Sequence, residues 1–283
     1  MAAYLELYRS GTLRERVDAA VSLLESCSVC PRSCGVNRLA GDLGKCRTSC
    51  EAMVSSYGLH FGEEAPLVGR HGSGAIFFTN CNLRCLFCQN YIISQLGEGQ
   101  KVSKEELVYI MLSLQAKGCH NINLVSPTHV VPQILEALEL AVESGLHLPL
   151  VYNSGGYDSV ETLRILDDIV DIYMPDMKYD DEETARELSG IENYPEVNKA
   201  AIKEMHRQTG NLEINQEGVA QRGLLVRHLV LPNGLAGTKG IVHFLSKEIS
   251  SNTYVNIMAQ YHPCQRREHR KANRFRNSCH SWK

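Results

Sequence analysis

From residue 75 onward the chain alternates short apolar runs with helical patterns, and this alternation narrows the fold more than any other feature. "AIFF" (75–78) reads as a strand, and "SKEELVYIMLSLQAKG" (103–118) as a helix capped by Ser103 with a glutamate three residues on. "NINLVS" (121–126), "PLVYNS" (149–154), "VDIYMPD" (170–176), "GLLVRHLVLP" (223–232) and "YVNIM" (254–258) supply five more strands. Helical patterns fall between them at 130–145, 159–167, 181–208 and 238–249. Such short links imply parallel strands with right-handed crossovers, closed either as an open doubly wound sheet or as a barrel. No G-x-G-x-x-G follows the first strand, which counts against a dinucleotide-binding sheet. The reading is α/β: a partial (β/α)6 TIM-like barrel, whose site would lie at the C-terminal ends of its strands.

The segments after those ends are the unusual ones. "TNCNLRCLFCQN" (79–90) follows the first strand and places Cys81, Cys85 and Cys88 at C-x3-C-x2-C spacing, with no fourth cysteine before Cys119. Structural zinc takes four ligands, and ferredoxin-type clusters take four cysteines. A [4Fe–4S] cube on three cysteines keeps one iron free of protein and open to a small chelating molecule. "SPTH" (126–129), "NSGGYD" (153–158), "PDMK" (175–178), "LPNG" (231–234) and "QYHP" (260–263) follow the other strands and share that face. Upstream, Cys27, Cys30, Cys34 and Cys46 form C-x2-C-x3-C-x11-C, a spacing able to close a tetrahedral site. Zinc and an auxiliary iron–sulfur cluster both remain open there. Cys50 is supernumerary, and Cys119, Cys264 and Cys279 stand alone as buried or incidental thiols.

Three segments result: residues 1–70, an N-terminal helix with a small Cys-rich metal-binding module; 71–264, the core barrel; and 265–283, a basic tail. The N-terminus has no apolar h-region, and no run reaches the roughly 18 apolar residues of a spanning helix. Eleven cysteines in such a chain argue for reduced thiols and a cytoplasmic setting. The net charge of −3 gives no reason to expect nucleic acid. From Gln265 to Lys283 seven Lys/Arg stand against one Glu, with few apolar residues, so this tail is expected to be disordered or truncated and to add no catalytic group.

C-x3-C-x-Φ-C, with Phe87 before the third cysteine, resembles the signature of the radical S-adenosylmethionine (SAM) superfamily. "CPRSCGVNRLAGDLGKC", "NINLVSPTHVVPQIL", "LPLVYNSGGYDSVETL", "DIYMPDMKY" and "RGLLVRHLVLPNG" are similar to uncharacterised iron–sulfur relatives of pyruvate formate-lyase activating enzyme. The resemblance implies that the open iron binds the amino and carboxylate groups of SAM, whose reductive cleavage yields methionine and a hydrogen-abstracting 5′-deoxyadenosyl radical. It further implies Phe87 near adenine, and Ser126 to His129 in place of a Gly-Gly-Glu turn at the methionine amino group. Because that glutamate is absent, backbone carbonyls or Thr128 would accept the bond. Asn153 and Ser154 fall near the ribose or a cation, Asp176 and Lys178 form an Asp-x-Lys pair with Lys178 at the methionine carboxylate, and His262 lies near the ribose. The implied partners are a flavodoxin- or ferredoxin-type electron donor and a protein or peptide substrate, with no membrane. A small-molecule substrate for the same chemistry, and a non-catalytic metal-binding or electron-transfer module, are the alternatives.

Overall fold

The structure, a computed structural model, describes residues 2–261. Helices α1 (Tyr4–Ser10) and α2 (Thr12–Ser22) precede the Cys-rich segment, which leads into β1 (Ala52–His60), the short α3 (Ala65–Val68) and β2 (Ser73–Phe78). Then come β3 (Gln100–Val102), α4 (Lys104–Ala116), β4 (Ile122–Val125), α5 (Val131–Glu143), β5 (Leu150–Ser154), α6 (Val160–Ile165) and β6 (Ile172–Pro175). The chain continues through α7 (Glu182–Ser189), α8 (Tyr194–Thr209), β7 (Glu213–Ile214), β8 (Ala220–Leu229), α9 (Thr238–Phe244) and β9 (Tyr254–Met258).

β2, β4, β5, β6, β8 and β9 pair successively in parallel, as the β/α alternation requires. β4, β5 and β6 are buried along their whole length, the pattern of strands covered on both faces. Helix α4 begins with the expected capping box: Ser103 Oγ accepts from Glu106 N at 3.2 Å, and Glu106 accepts from Ser103 N at 2.7 Å. Helix α5 buries Leu135, Leu138 and Ala141 in the principal core.

Three elements differ from the sequence expectation. β1 adds antiparallel to β2 and carries β3 on its other side, so the parallel set is extended at that edge. Its Ser55, Ser56 and Gly58 dilute the apolar alternation that would have marked a strand. The expected helix over 181–208 is two helices. Gly190, at φ 67°, ends α7 by donating its N–H to Ala185 and Arg186 carbonyls, and α8 restarts with Pro195 in its first turn. The helix expected over 238–249 narrows to α9, followed by one wider turn, Leu245–Ile249.

The N-terminal residues are built into the barrel. Tyr4 OH donates to Leu148 O at 2.7 Å, and the buried Asp171 carboxylate accepts from Ala3 N at 2.9 Å and Leu150 N at 2.8 Å. Burial, working against those two bonds, pushes Asp171 up to about 6. β9 is tied to the loop after β1 through a side chain, Asn256 donating to Glu64 at 2.9 Å. No helix among the described residues is long and apolar enough to cross a membrane.

One glycine holds the loops after β5 and β6 together. At Gly156, φ 73°, a Cβ would stand 2.0 Å from Asp176 O and 2.3 Å from Asn198 Nδ2. Gly156→Ala is therefore expected to lower stability by about 1–3 kcal/mol, read as a shift of the urea midpoint. An unchanged midpoint would show that the two loops part without cost.

Candidate functional site

The loop from Cys81 to Cys88 has no regular secondary structure, and its shape is imposed by neighbours. The end of α7 grips it: Arg84 N donates to Ser189 O at 3.2 Å and Leu86 N to Leu188 O at 2.8 Å. Gln95 donates to Cys85 O at 2.7 Å, and Asn82 Nδ2 to Tyr157 O at 2.7 Å. The sulfurs have polar company. Ser189 Oγ donates to Cys85 Sγ at 2.9 Å, Leu83 N to Cys81 Sγ at 3.4 Å, and Cys88 Sγ lies 3.2 Å from Ser94 Oγ. Asn80, just before Cys81, takes φ 73°, and Ser126, after β4, takes φ 60°. Such backbone costs of order 1–3 kcal/mol where a non-glycine residue adopts it, and it clusters at functional sites.

All three thiols line one cavity of about 460 Å³, within the range of small-molecule sites. Phe87, Ser126, Asn153, Ser154, Asp176 and Lys178 line the same cavity. Phe87 sits edge-on to Tyr179, with ring centres 6.2 Å apart, and at the same separation from Tyr261. Thr128 stands behind the wall. It is 4% exposed and its hydroxyl donates at 2.6 Å to Asp158, which also accepts from Ser154 Oγ at 2.6 Å and Tyr152 OH at 3.0 Å. Thr128 and Ser154 thus share a buried carboxylate that fixes the loops after β4 and β5. Burial, against those three donors, raises Asp158 from its ordinary range. His262, Cys264, Cys279 and the basic tail lie outside the described residues.

Asp176 is the electrostatic centre of the far wall. One carboxylate oxygen pairs with Lys178 Nζ and the other accepts from Arg227 Nε at 3.0 Å. Burial works to raise its pKa, but Arg227 and then Lys178 hold it below the usual carboxylate range. Burial works to lower Lys178, yet Asp176 and then the neighbouring Cys85 carry it above the ordinary lysine value. Lys178 therefore stays charged between a carboxylate and the cysteine loop. Burial pushes the Cys81 thiol up to about 12 and raises Cys85 too, so thiolates in this pocket require a positive partner.

Sequence reasoning passed over Arg227, whose Nη2 donates to Asn153 Oδ1 at 2.7 Å and whose Nη1 stands 3.8 Å from Glu63. The available signal was a lone charge inside the apolar strand "GLLVRHLVLP", a residue forced to face into the barrel. His60, Glu63, Glu64 and Asn256, also on the cavity wall, belong to the unforeseen β1 and its loop or to β9.

Among the described residues, no group of three or more His, Cys, Asp or Glu side chains is arranged to hold a single metal ion. A cube makes a different demand, since each thiolate takes a separate iron and the sulfurs face a shared volume. Three soft thiols around one end of a cavity, with a fixed cation and hydrogen-bonding groups further in, fit such a cluster and a zwitterionic ligand beside it.

Comparison with known proteins identifies the family. Residues 75–214 match the profile of the Radical SAM superfamily. The chain is 34% identical over 268 residues to an uncharacterized protein of Methanocaldococcus jannaschii, covering 92% of this chain and 72% of that one. A second uncharacterized protein of the same organism is 24% identical over 260 residues, covering 84% and 70%. Among solved structures, anSMEcpe with bound AdoMet and Cp18Cys peptide superimposes with a TM-score of 0.47 at 11% identity, covering 68% of this chain and 51% of that one. A radical SAM methyltransferase from Sphaerobacter thermophilus gives a TM-score of 0.47 at 15% identity, covering 72% and 62%. The chain thus spans only about half of the first of these structures' length. On its sequence match, the chain belongs to the radical S-adenosylmethionine superfamily.

Proposed function

We propose that Cys81, Cys85 and Cys88 hold a [4Fe–4S] cluster, that SAM occupies the adjoining cavity, and that the enzyme takes hydrogen from a protein or peptide in the manner of a glycyl-radical activating enzyme. The observation that carries this reading is the single cavity joining the three thiols to Lys178, Asp176 and Asn153. When bound, cluster and SAM supply a reductively generated carbon radical able to remove a substrate hydrogen. The protein's part is orientation. Lys178, held by Asp176, would present its cation to the methionine carboxylate. Phe87 would offer an apolar face for adenine, and Asn153 and Ser154, on the same cavity wall, would serve the ribose.

The polypeptide substrate is carried over from the resemblance to activating enzymes. Nine described cysteines are free, which suits a reducing compartment; an electron donor of flavodoxin or ferredoxin type is part of the same proposal.

The test is anaerobic incubation of the reduced, iron-reconstituted protein with SAM, which should yield 5′-deoxyadenosine. Lysate grown on deuterated glycine should then transfer deuterium into that product from its protein fraction. Transfer from the small-molecule ultrafiltrate alone would move the substrate to that class.

Cys85→Ala is expected to abolish 5′-deoxyadenosine formation, because a thiolate that binds one iron has no substitute within reach. Retained product would sink the cluster assignment. Lys178→Ala should keep the cluster's absorbance while weakening SAM binding by about 1.5–3 kcal/mol, roughly ten- to 150-fold in Kd by equilibrium dialysis. An unchanged Kd would leave Lys178 as a partner of Asp176 alone.

A further inference from the structure

Four thiols lie outside the cavity in a segment that the chemistry above does not use. Cys27, Cys30 and Cys34 sit on a tight reversal closed by Cys27 N→Val36 O at 2.9 Å, Gly35 N→Cys27 O at 3.1 Å and Ser33 N→Cys30 O at 2.9 Å. Gly35 takes φ 67°, as such a reversal needs. Cys46 sits on a second reversal, closed by Arg47 N→Gly44 O at 2.8 Å and Gly44 N→Thr48 O at 3.4 Å. The two reversals face each other. A Cβ on Gly44 would meet Cys34 Sγ at 3.2 Å and Cys46 Sγ at 3.4 Å, so the glycine leaves room for both sulfurs.

A buried charge points the same way. Arg38 is 0% exposed, with Nη1 donating to His129 O at 2.9 Å and lying 3.8 Å from Cys27 Sγ. Its Nη2 has no hydrogen-bond partner, and among the described residues no carboxylate lies within ion-pair distance of it. A guanidinium buried without negative charge is costly. Four thiolates on a divalent metal carry a net charge of −2 and would compensate it. Their formation releases the thiol protons to solvent and needs no redox partner.

We propose that Cys27, Cys30, Cys34 and Cys46 bind a second, thiolate-ligated metal centre, and that this centre steadies the Cys81 loop. As they stand the four thiols are not arranged around a single ion, so metal binding has to draw the side chains of the two reversals together. Arginines exchanged between the segments carry the second half of the proposal. Arg32 Nε donates to Asn82 O at 2.8 Å, Arg47 Nη2 to Asn80 Oδ1 at 3.1 Å, and Arg84 returns a bond to Lys45 O at 3.0 Å, next to Cys46. A fourth link runs from Arg38 through His129. Thr79 O can only accept, so His129 Nε2–H donates to it at 3.0 Å, two residues before Cys81. The metal site stands independently of the proposed activity, whereas its effect on the loop rests on that reading.

The test begins with the Cys81→Ala/Cys85→Ala/Cys88→Ala protein, analysed for zinc, iron and acid-labile sulfide. It should retain about one centre per chain, zinc alone identifying a mononuclear site and iron with sulfide a cluster. Adding Cys30→Ala and Cys46→Ala should remove that metal. Absence of both metals from the triple variant, or metal surviving the further pair, overturns the site. Should the triple variant not fold, the full chain bearing only Cys30→Ala/Cys46→Ala must lose one centre's metal while its circular dichroism is kept, and full metal content there overturns the site equally. For the loop, an anaerobic chelator challenge followed by the reduced cluster's electron paramagnetic resonance signal should show loss at least about tenfold faster in the Cys30→Ala/Cys46→Ala protein. An equal rate overturns the steadying role while leaving the site.

Discussion

The pairing of Asp176 with two cations organises the inside of the barrel. A carboxylate at the end of β6 draws Arg227 across from β8 and Lys178 back from the next turn. Buried charge persists only where opposite charge and hydrogen bonds compensate its lost hydration. Here the compensation is shared among three strands, because Arg227 also reaches Asn153 of β5. The parallel register sets this up, with Asn153 opposite Met174 on β6 and Asp176 bridged to Arg227 on β8. Lys178 consequently faces Cys85 as a fixed cation instead of a mobile one, and a preorganised charge costs little entropy when a ligand arrives.

Around that centre the loops are held by bonds that run crosswise between them. Asp158 ties Thr128 to Ser154, α7 grips the cysteine loop, and the one proton of Tyr194 OH is shared between Gly155 O at 2.8 Å and Asp176 O at 3.0 Å. Residues without secondary structure of their own are thereby positioned by elements that have it. This explains how Asn80 and Ser126 keep left-handed backbone: their surroundings over-determine them.

The N-terminal Cys-rich segment belongs to the same arrangement. Its arginines end on a carbonyl and a side-chain amide of the cysteine loop, and the loop's Arg84 ends on its backbone. Hydrogen bonds from a charged donor are roughly twice as strong as neutral ones, and here they cross a boundary that sequence reading drew between separate segments.

What the sequence by itself determined is periodicity and chemistry at short range. Apolar runs separated by helical patterns suggested six parallel strands, and C-x3-C-x2-C marked the loop that carries the three thiols. Ser103 and Glu106 announced the start of α4. Each of these rests on residues a few positions apart, where backbone geometry leaves few choices. The break between α7 and α8 was visible only as Gly190, since a single glycine is tolerated inside many helices. β1 was hidden because an edge strand with serines and glycine gains its stability from pairing with β2, a contact between residues distant in sequence. Tertiary structure alone decided that Thr128 faces Asp158 and not the cavity, that Arg227 joins Asp176, and that a fully buried Arg38 connects Cys27 to His129. Such placements depend on which groups are left to satisfy one another once the core has closed, and that accounting is made in space, not along the chain.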